Sequence, residues 1–185
     1  MGKFISFNKP YLSGNELEYV NDTVKRNHLS GNGHYTKKCQ KYFESRYKFN
    51  KCLLTHSGTG ALEMASILIN IRPGDEVIVP SYTFTSTANA FILRGASIKF
   101  VDSRSDHPGM DERSIESLIT NRTKAIVVVH YAGVACNMEA IMKMAKKHNL
   151  FVVEDAAHAI DSYYHYADEN KEPKYLGGIA HIGDF

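Results

Sequence analysis

Residues 76–101 read EVIVPSYTFTSTANAFILRGASIKFV and predict a strand, a helix and a second strand in succession. The apolar runs EVIVP and SIKFV flank a helix-like stretch, residues 86–93, which is followed by a break at Gly95. A turn of sequence RPGD precedes the first run, and its proline and glycine set the dihedral angles that a turn needs. Strand, helix and strand in this order are typical of a βαβ unit with parallel strands.

The same alternation of short apolar runs and helical stretches extends over most of the chain. Three further runs are predicted as strands: KCLL at 51–54, AIVVVH at 125–130 and FVVE at 151–154. The polar segment 111–120 is predicted to be helical, and the amphipathic stretch 138–148, which ends in cations suited to a helix C-terminus, is predicted to form another helix. Runs that are continuously apolar are typical of parallel strands buried on both faces by helices. The sequence therefore predicts an α/β fold with a doubly wound, mostly parallel sheet of five strands. In such a sheet, ligands bind beyond the carboxyl ends of the strands.

Composition limits the classes of protein to be considered. The 185 residues are 43% hydrophobic and 23% charged, enough for one domain or for a piece of a larger one. The net charge of +2 gives no reason to expect nucleic acid or a membrane as partner. Three cysteines without a CxxC pair favour a reducing, cytoplasmic compartment. The histidines form no HExxH motif, so no metal site is predicted.

The segment THSGTGAL, residues 55–62, joins the first predicted strand to a helix. Small residues at such a point let backbone N–H groups approach an anion, and the hydroxyls of Ser57 and Thr59 can donate to it. Gly58 lies between them. The segment fits neither the Rossmann GxGxxG pattern nor the P-loop pattern. It is either a phosphate-binding turn or an ordinary capped helix start.

Two more strand ends carry candidate ligand contacts. Tyr82 and Phe84 follow EVIVP and either stack on a planar ring or cover the core. The hydroxyl residues 85–87 are predicted to cap the next helix. His130 ends the fourth run and is predicted to be a hydrogen-bonded structural residue rather than a catalyst.

Acidic residues directly end the fifth apolar run, in the motif EDAAHA at 154–159. A carboxylate placed this close to the sheet interior needs a cationic or hydrogen-bonding partner. A protonated ring nitrogen would supply one for Asp155, and His158 could donate to an oxygen of the same ligand. The alternative is an acid that is satisfied by backbone amides at a helix start.

Four motifs taken together, SGTGAL, RPGDEVIVPSYTFTSTANA, EDAAHA and the terminal HIGDF, resemble the DegT/DnrJ/EryC1/StrS family. The resemblance implies the large domain of a fold-type I transferase and the cofactor pyridoxal 5′-phosphate. It places the cofactor phosphate against Gly58 and Thr59, with Ser57 opening the loop.

The same resemblance assigns the remaining site residues and the reaction. Phe84 would stack on the pyridine ring, Asp155 would pair with the ring nitrogen, and His158 would contact the ring 3-oxygen. The family transfers an amino group from glutamate to a keto sugar nucleotide for surface polysaccharide synthesis, as a homodimer. The stretch VVHYAGVACNM, residues 128–138, is most similar to the branch that uses dTDP-4-keto-6-deoxyglucose. Two alternatives are a sugar dehydratase of the same fold and a noncatalytic remnant that binds a partner subunit or a nucleotide sugar.

The resemblance also implies that residues 1–185 are the N-terminal part of the large domain. In the family, the Schiff-base lysine lies downstream of the motif that reads HIGDF here, and so do the last strands and the small domain. We therefore expect this chain, made alone, to be inactive. We also expect residues 51–54 to lack a neighbouring strand, which would make the chain marginally stable or prone to aggregation.

Overall fold

The structure is a computed structural model that describes residues 4, 6 and 9–178. The chain divides into two compact units, Met1–Leu53 and Leu54–Phe185. The first unit contains the helices α1 (Glu16–Lys25) and α2 (His34–Tyr47). Asp22 on α1 accepts hydrogen bonds from the phenol of Tyr35, at 2.9 Å, and from the guanidinium of Arg26. One carboxylate thus connects the two helices of this unit.

The second unit is an α/β layer structure in which helices alternate with strands. Its helices are α3 (Gly58–Leu68), α4 (Ser86–Ile92), α5 (Glu112–Ile115) and α6 (Met138–His148). Its strands are β1 (Glu76–Pro80), β2 (Ser97–Val101), β3 (Thr123–Val129), β4 (Phe151–Asp155), β5 (Tyr163–Tyr164) and β6 (Lys174–Tyr175). The first four strands form one parallel sheet in the order β2-β1-β3-β4, and β5 and β6 form an antiparallel pair.

The sheet is covered by helices on both faces, which confirms the predicted doubly wound fold. Alternate residues of β3 point to opposite layers, because side chains of a strand alternate between its faces. Ile126 packs with Ile141 of α6 on one face, and Val127 packs with Phe91 of α4 on the other. All four side chains are fully buried. Each contributes roughly 1.5–3 kcal/mol by leaving water, so the apolar runs fix the sheet between its two helix layers.

Two predictions about secondary structure differ from the observed elements. Residues 51–54 do not form a strand, because no strand among the described residues pairs with them and an isolated strand leaves its backbone groups without partners. The polar segment 111–120 forms the short helix α5 and a single 3₁₀ turn, Glu116–Leu118, rather than one helix. The motif HIGDF lies outside the described residues. In the part of the chain that is described, no helix has the length and apolar character needed to cross a membrane.

Candidate active site

A small pocket lies at the carboxyl ends of β3 and β4, beside the loop that follows β1. Its volume is about 60 Å³. Parallel strands bring their carboxyl ends to one edge of the sheet, so residues distant in sequence meet there. The pocket is lined by Thr83, Phe84, Val129, His130, Tyr131, Asp155, Ala157 and His158. The fold therefore brings three of the predicted site residues together, Phe84, Asp155 and His158.

Asp155 is the last residue of β4, and protein groups hold both of its carboxylate oxygens. The hydroxyl of Thr87 donates to Oδ2 at 3.0 Å, and the backbone N–H of Ala157 donates to Oδ1 at 3.2 Å. A carboxylate offers about four acceptor positions, so these two bonds leave capacity for a further donor. Both of the interpretations left open for this acid are thus compatible with its geometry: it bonds a backbone amide and can still accept from a ligand.

His158 is exposed and lies against the aromatic ring of Tyr131. The two ring centroids are 5.4 Å apart in an edge-on arrangement. The backbone N–H of Ala132 lies 3.4 Å from Nδ1 of His158. Ala132 has a left-handed backbone, with φ of 54°, which is uncommon for a residue other than glycine. This loop conformation directs the Ala132 N–H at Nδ1 of His158, and within the described part of the chain Nε2 remains available to a ligand.

Two tyrosines extend the aromatic surface beside the pocket. The hydroxyl of Tyr82 donates to that of Tyr131 at 3.2 Å, and the ring centroids are 4.8 Å apart. Phe84 is 73% exposed, and Tyr82 is 53% exposed. The suggestion that these two aromatics cover the core is therefore wrong, because buried core side chains in this unit have almost no exposed surface. Phe84 instead presents its ring at the pocket.

The predicted phosphate-binding turn forms the start of α3. The hydroxyl of Ser57 accepts a hydrogen bond from the backbone N–H of Gly60 at 3.0 Å and so caps the helix. The hydroxyl of Thr59 lies 2.8 Å from that of Ser86 at the start of α4. A Cβ atom added at Gly58 would meet no other atom within 4 Å, so the space beside this residue is open. The turn is capped, as one interpretation required, and the open space beside Gly58 leaves room for an anion at this helix start.

A buried histidine–glutamate pair lies next to the pocket. His130 Nε2 is 3.0 Å from Glu154 Oε2, and the side chains are 0% and 3% exposed. The same oxygen accepts a hydrogen bond from the N–H of Gly177 at 2.9 Å. His130 is thus a hydrogen-bonded buried residue, as expected from sequence.

Burial and the nearby carboxylate act in opposite directions on the pKa of His130. Burial lowers this pKa, and the hydrogen bonding and charge of its neighbours, Glu154 among them, outweigh burial and raise it to about 9. The backbone N–H of Cys136 lies 3.3 Å from Nδ1 and could donate there only to a neutral ring. That contact is longer than the 2.7–3.2 Å of typical hydrogen bonds, so the contact with Glu154 is the shorter of the two that the ring nitrogens of His130 make.

Two hydroxyl residues have roles that the sequence did not reveal. Residues 85–87 were predicted to be helix caps, but the Thr85 side chain makes no capping bond to α4. Ser86 bonds Thr59 instead, and Thr87 bonds Asp155. The only signal in the sequence is the run of hydroxyl residues after a strand end, which does not specify partners 27 and 68 positions away.

A parallel sheet with an aromatic and acidic pocket at its carboxyl edge is typical of α/β proteins that bind a ligand beyond the strand ends. Residues 10–185 match the DegT/DnrJ/EryC1/StrS aminotransferase family, and the chain belongs to that family.

Individual relatives agree with this membership. GDP-perosamine synthase of Escherichia coli O157:H7 is 39% identical over 183 residues, which are 99% of this chain and 48% of that protein. The PLP form of Spr1654 from Streptococcus pneumoniae superimposes with a TM-score of 0.83 at 29% identity, over 95% of this chain and 47% of that one. An aminotransferase from Psychrobacter cryohalolentis has a TM-score of 0.78 at 31% identity, over 84% and 39%. The chain thus spans about half the length of the curated relatives it matches.

Proposed function

We propose that this chain is the cofactor-binding part of an aminotransferase that uses pyridoxal 5′-phosphate to aminate a keto sugar nucleotide. The observation that carries the proposal is the meeting of Phe84, Asp155 and His158 in one pocket at the carboxyl edge of the sheet. An acid, a basic ring and an exposed aromatic are the groups that a phosphorylated pyridine would use. The names of relatives, among them an aminotransferase and a GDP-perosamine synthase, support the same class of reaction.

The residues present fit the cofactor chemically. Asp155 has acceptor capacity left for a ring N–H, and Phe84 offers an exposed ring face for stacking. The N-terminus of α3, with Thr59, supplies N–H and hydroxyl donors for a phosphate. Pyridoxal phosphate, when bound, supplies a protonated ring that takes up the electron pair released as the donor Cα–H bond breaks.

Each residue then has a distinct task. Asp155 holds the proton on the ring nitrogen, since a carboxylate beside a cationic nitrogen favours its charged form. His158 contacts the 3-oxygen through the ring nitrogen that Ala132 leaves available. Phe84 orients the ring by stacking, and residues 57–59 anchor the phosphate.

The substrate proposal concerns first the class of substrate and then the nucleotide that carries the sugar. We propose glutamate as amino donor and a nucleotide-linked 4-keto-6-deoxy sugar as acceptor. The similarity of residues 128–138 favours the dTDP-linked sugar, whereas a relative that is 39% identical is named for a GDP-linked one. The test supplies the full-length protein with pyridoxal phosphate, glutamate and each keto sugar nucleotide in turn. Mass spectrometry of the sugar nucleotide then identifies the aminated product. If neither sugar nucleotide is converted, the proposal is contradicted.

Cofactor binding can be tested on the full-length protein. Pyridoxamine 5′-phosphate is the suitable probe because it needs no covalent bond to the protein. We expect saturable binding by calorimetry, weakened when Phe84→Ala removes the stacking face. The control is Phe100→Ala, which removes an exposed phenylalanine of β2 that does not line the pocket. Absence of binding, or equal loss in both variants, would contradict the assignment of the pocket.

We further propose that the complete protein is a homodimer. Large apolar side chains are exposed at the ends of α3 and α4: Ile67 at 57%, Leu68 at 60% and Leu93 at 72%. Exposed apolar groups of this kind favour contact with another protein surface. Sedimentation equilibrium of the full-length protein tests the proposal, and a monomer at all concentrations would exclude it.

A further inference from the structure

Three side chains form a continuous chain of hydrogen bonds beneath the pocket. The hydroxyls of Thr83 and Thr87 are 2.8 Å apart, and the Thr87 hydroxyl is 3.0 Å from Asp155 Oδ2. A hydroxyl carries one proton, and a carboxylate can only accept. Thr87 therefore donates to Asp155, which leaves Thr83 as the donor to Thr87. The donor and the acceptor of both hydrogen bonds are thereby fixed.

Thr87 is placed where it can restrain the acid and where water cannot replace it. It is fully buried in the first turn of α4, whereas Asp155 ends β4. Its bond fixes Oδ2 from the α4 side, and the N–H of Ala157 fixes Oδ1 from the loop that follows β4. With one donor on each oxygen from two different segments, the plane of the carboxylate is set before any ligand binds.

We propose that Thr87, oriented by Thr83, is the positioning residue that aims the Asp155 carboxylate at the ring nitrogen of the cofactor. The proposal rests on the proposed function for the identity of the ligand. Thr87→Val would keep the buried shape and lose the only donor to Oδ2 among the described side chains. The carboxylate would then be held through Oδ1 alone, so its plane could turn and it would pair less well with a ring N–H.

The first experiment needs no ligand and asks whether Thr87 and Asp155 are coupled. Unfolding is measured for Thr87→Val, Asp155→Ala and the double variant. Because the two side chains share a hydrogen bond, we expect the effect of Thr87→Val on the unfolding constant to be at least about threefold smaller once Asp155 is alanine. Additive effects would overturn the proposal, since a threonine that only fills space would cost the same in both backgrounds.

The second experiment measures the affinity for pyridoxamine 5′-phosphate by calorimetry. A hydrogen bond to a charged group is worth about tenfold or more in an equilibrium constant, so we expect binding by Thr87→Val to be about tenfold weaker. Thr87→Ser keeps the donor and should restore the affinity. Thr83→Val should weaken binding less than Thr87→Val, because it removes only the support. Thr23→Val, in α1, is the matched control and should bind as wild type.

The outcomes separate this proposal from the proposed function. Coupling together with weaker binding by Thr87→Val and rescue by Thr87→Ser supports both. Wild-type affinity in Thr87→Val, or failure of serine to rescue, overturns the positioning role. If the variants show coupling between Thr87 and Asp155 but the wild-type protein binds no pyridoxamine 5′-phosphate, the restraint of the carboxylate is supported. The proposed function is then overturned instead.

Discussion

The Thr59 hydroxyl lies 2.8 Å from the Ser86 hydroxyl and connects the first turn of α3 to that of α4. The next residue, Thr87, donates to Asp155 at the end of β4. Two consecutive residues of α4 thus bond the proposed phosphate turn and the proposed partner of the ring nitrogen. A phosphorylated pyridine has its charged groups at separate positions of one ring system, so a common support for both contacts fixes their spacing.

Removal of the Thr59 hydroxyl should weaken phosphate binding selectively. We expect Thr59→Val to reduce the affinity for pyridoxamine 5′-phosphate about tenfold, because a hydrogen bond to a charged oxygen is lost. The affinity for pyridoxamine, which lacks the phosphate, should stay unchanged. Calorimetry with both ligands measures the difference. An equal loss for the two ligands would show that Thr59 does not contact the phosphate.

Substitution of the acid should separate cofactor binding from turnover. Asparagine at position 155 can still accept from Thr87 but no longer carries the charge that favours a protonated ring nitrogen. In the full-length enzyme we expect Asp155→Asn to retain the cofactor and to lower kcat by about 100-fold or more. Absorption of the bound cofactor and steady-state kinetics provide the two readouts. Asp106→Asn, at an exposed acid paired with Arg104, is the control, and near-normal turnover in Asp155→Asn would remove the acid from this role.

The sheet was predictable from sequence because its strands are continuous apolar runs, and that pattern depends only on local composition. Met138–His148, with its apolar stripe and terminal cations, is predicted and observed with the same bounds. The segment KCLL has similar composition but forms no strand, because a strand also requires a neighbour, which no local pattern supplies.

The residues of the candidate site likewise fall into those that the sequence predicts and those that it does not. Phe84, Asp155 and His158 are recognisable because each lies at or shortly after the end of a strand, and parallel strands end at one edge. The bonds of Ser86 and Thr87 were not predictable, because which hydroxyl points at which partner depends on how α4 packs against α3 and the sheet. A run of hydroxyl residues suggests helix caps as readily as long-range partners.

The core can be tested with two phenylalanines that differ in burial. Phe91 is fully buried between α4 and the sheet, whereas Phe100 on β2 is 57% exposed. We expect Phe91→Ala to lower the free energy of unfolding by about 3–5 kcal/mol, through lost burial and the cavity that remains. Phe100→Ala should change it by no more than about 0.5 kcal/mol. Denaturant titrations of the two variants provide the comparison, and similar losses would contradict the helix packing described above.

The turn before β2 depends on a glycine. Gly95 has a φ of 87°, and a Cβ atom there would lie 2.8 Å from Cγ of Pro73. Gly95→Ala should therefore destabilise the chain by about 1–3 kcal/mol, from backbone strain and the clash. At Gly31 an added Cβ would meet nothing within 4 Å, so Gly31→Ala should be neutral or stabilise by up to about 1 kcal/mol. Thermal melts of both variants test this pair, and an unchanged melting temperature for Gly95→Ala would show that the turn can adjust.

A buried carboxylate at the opposite end of the sheet should make stability depend on pH. Glu76 is 1% exposed at the start of β1 and accepts hydrogen bonds from Thr120, at 2.7 Å, and Arg122. The Thr120 bond, followed by the Arg122 bond, lowers the pKa of Glu76 from its ordinary value of 4.5. A carboxylate whose pKa is lower in the folded than in the unfolded chain stabilises the fold at pH values above its pKa in the unfolded chain. That stabilisation is lost as the pH falls through the pKa of the carboxylate in the folded chain.

We therefore expect Glu76→Gln to lower the melting temperature at pH 7, with the difference from wild type shrinking steadily below about pH 4.5. Glu116→Gln is the matched control, because Glu116 pairs with Lys147 and His148 while remaining half exposed, where solvent screens the interaction. Its effect at pH 7 should be clearly smaller. Melts between pH 3 and pH 8 measure both differences. A Glu76→Gln deficit that stays constant over this range would mean that lost packing, and not the charge of the carboxylate, accounts for its contribution.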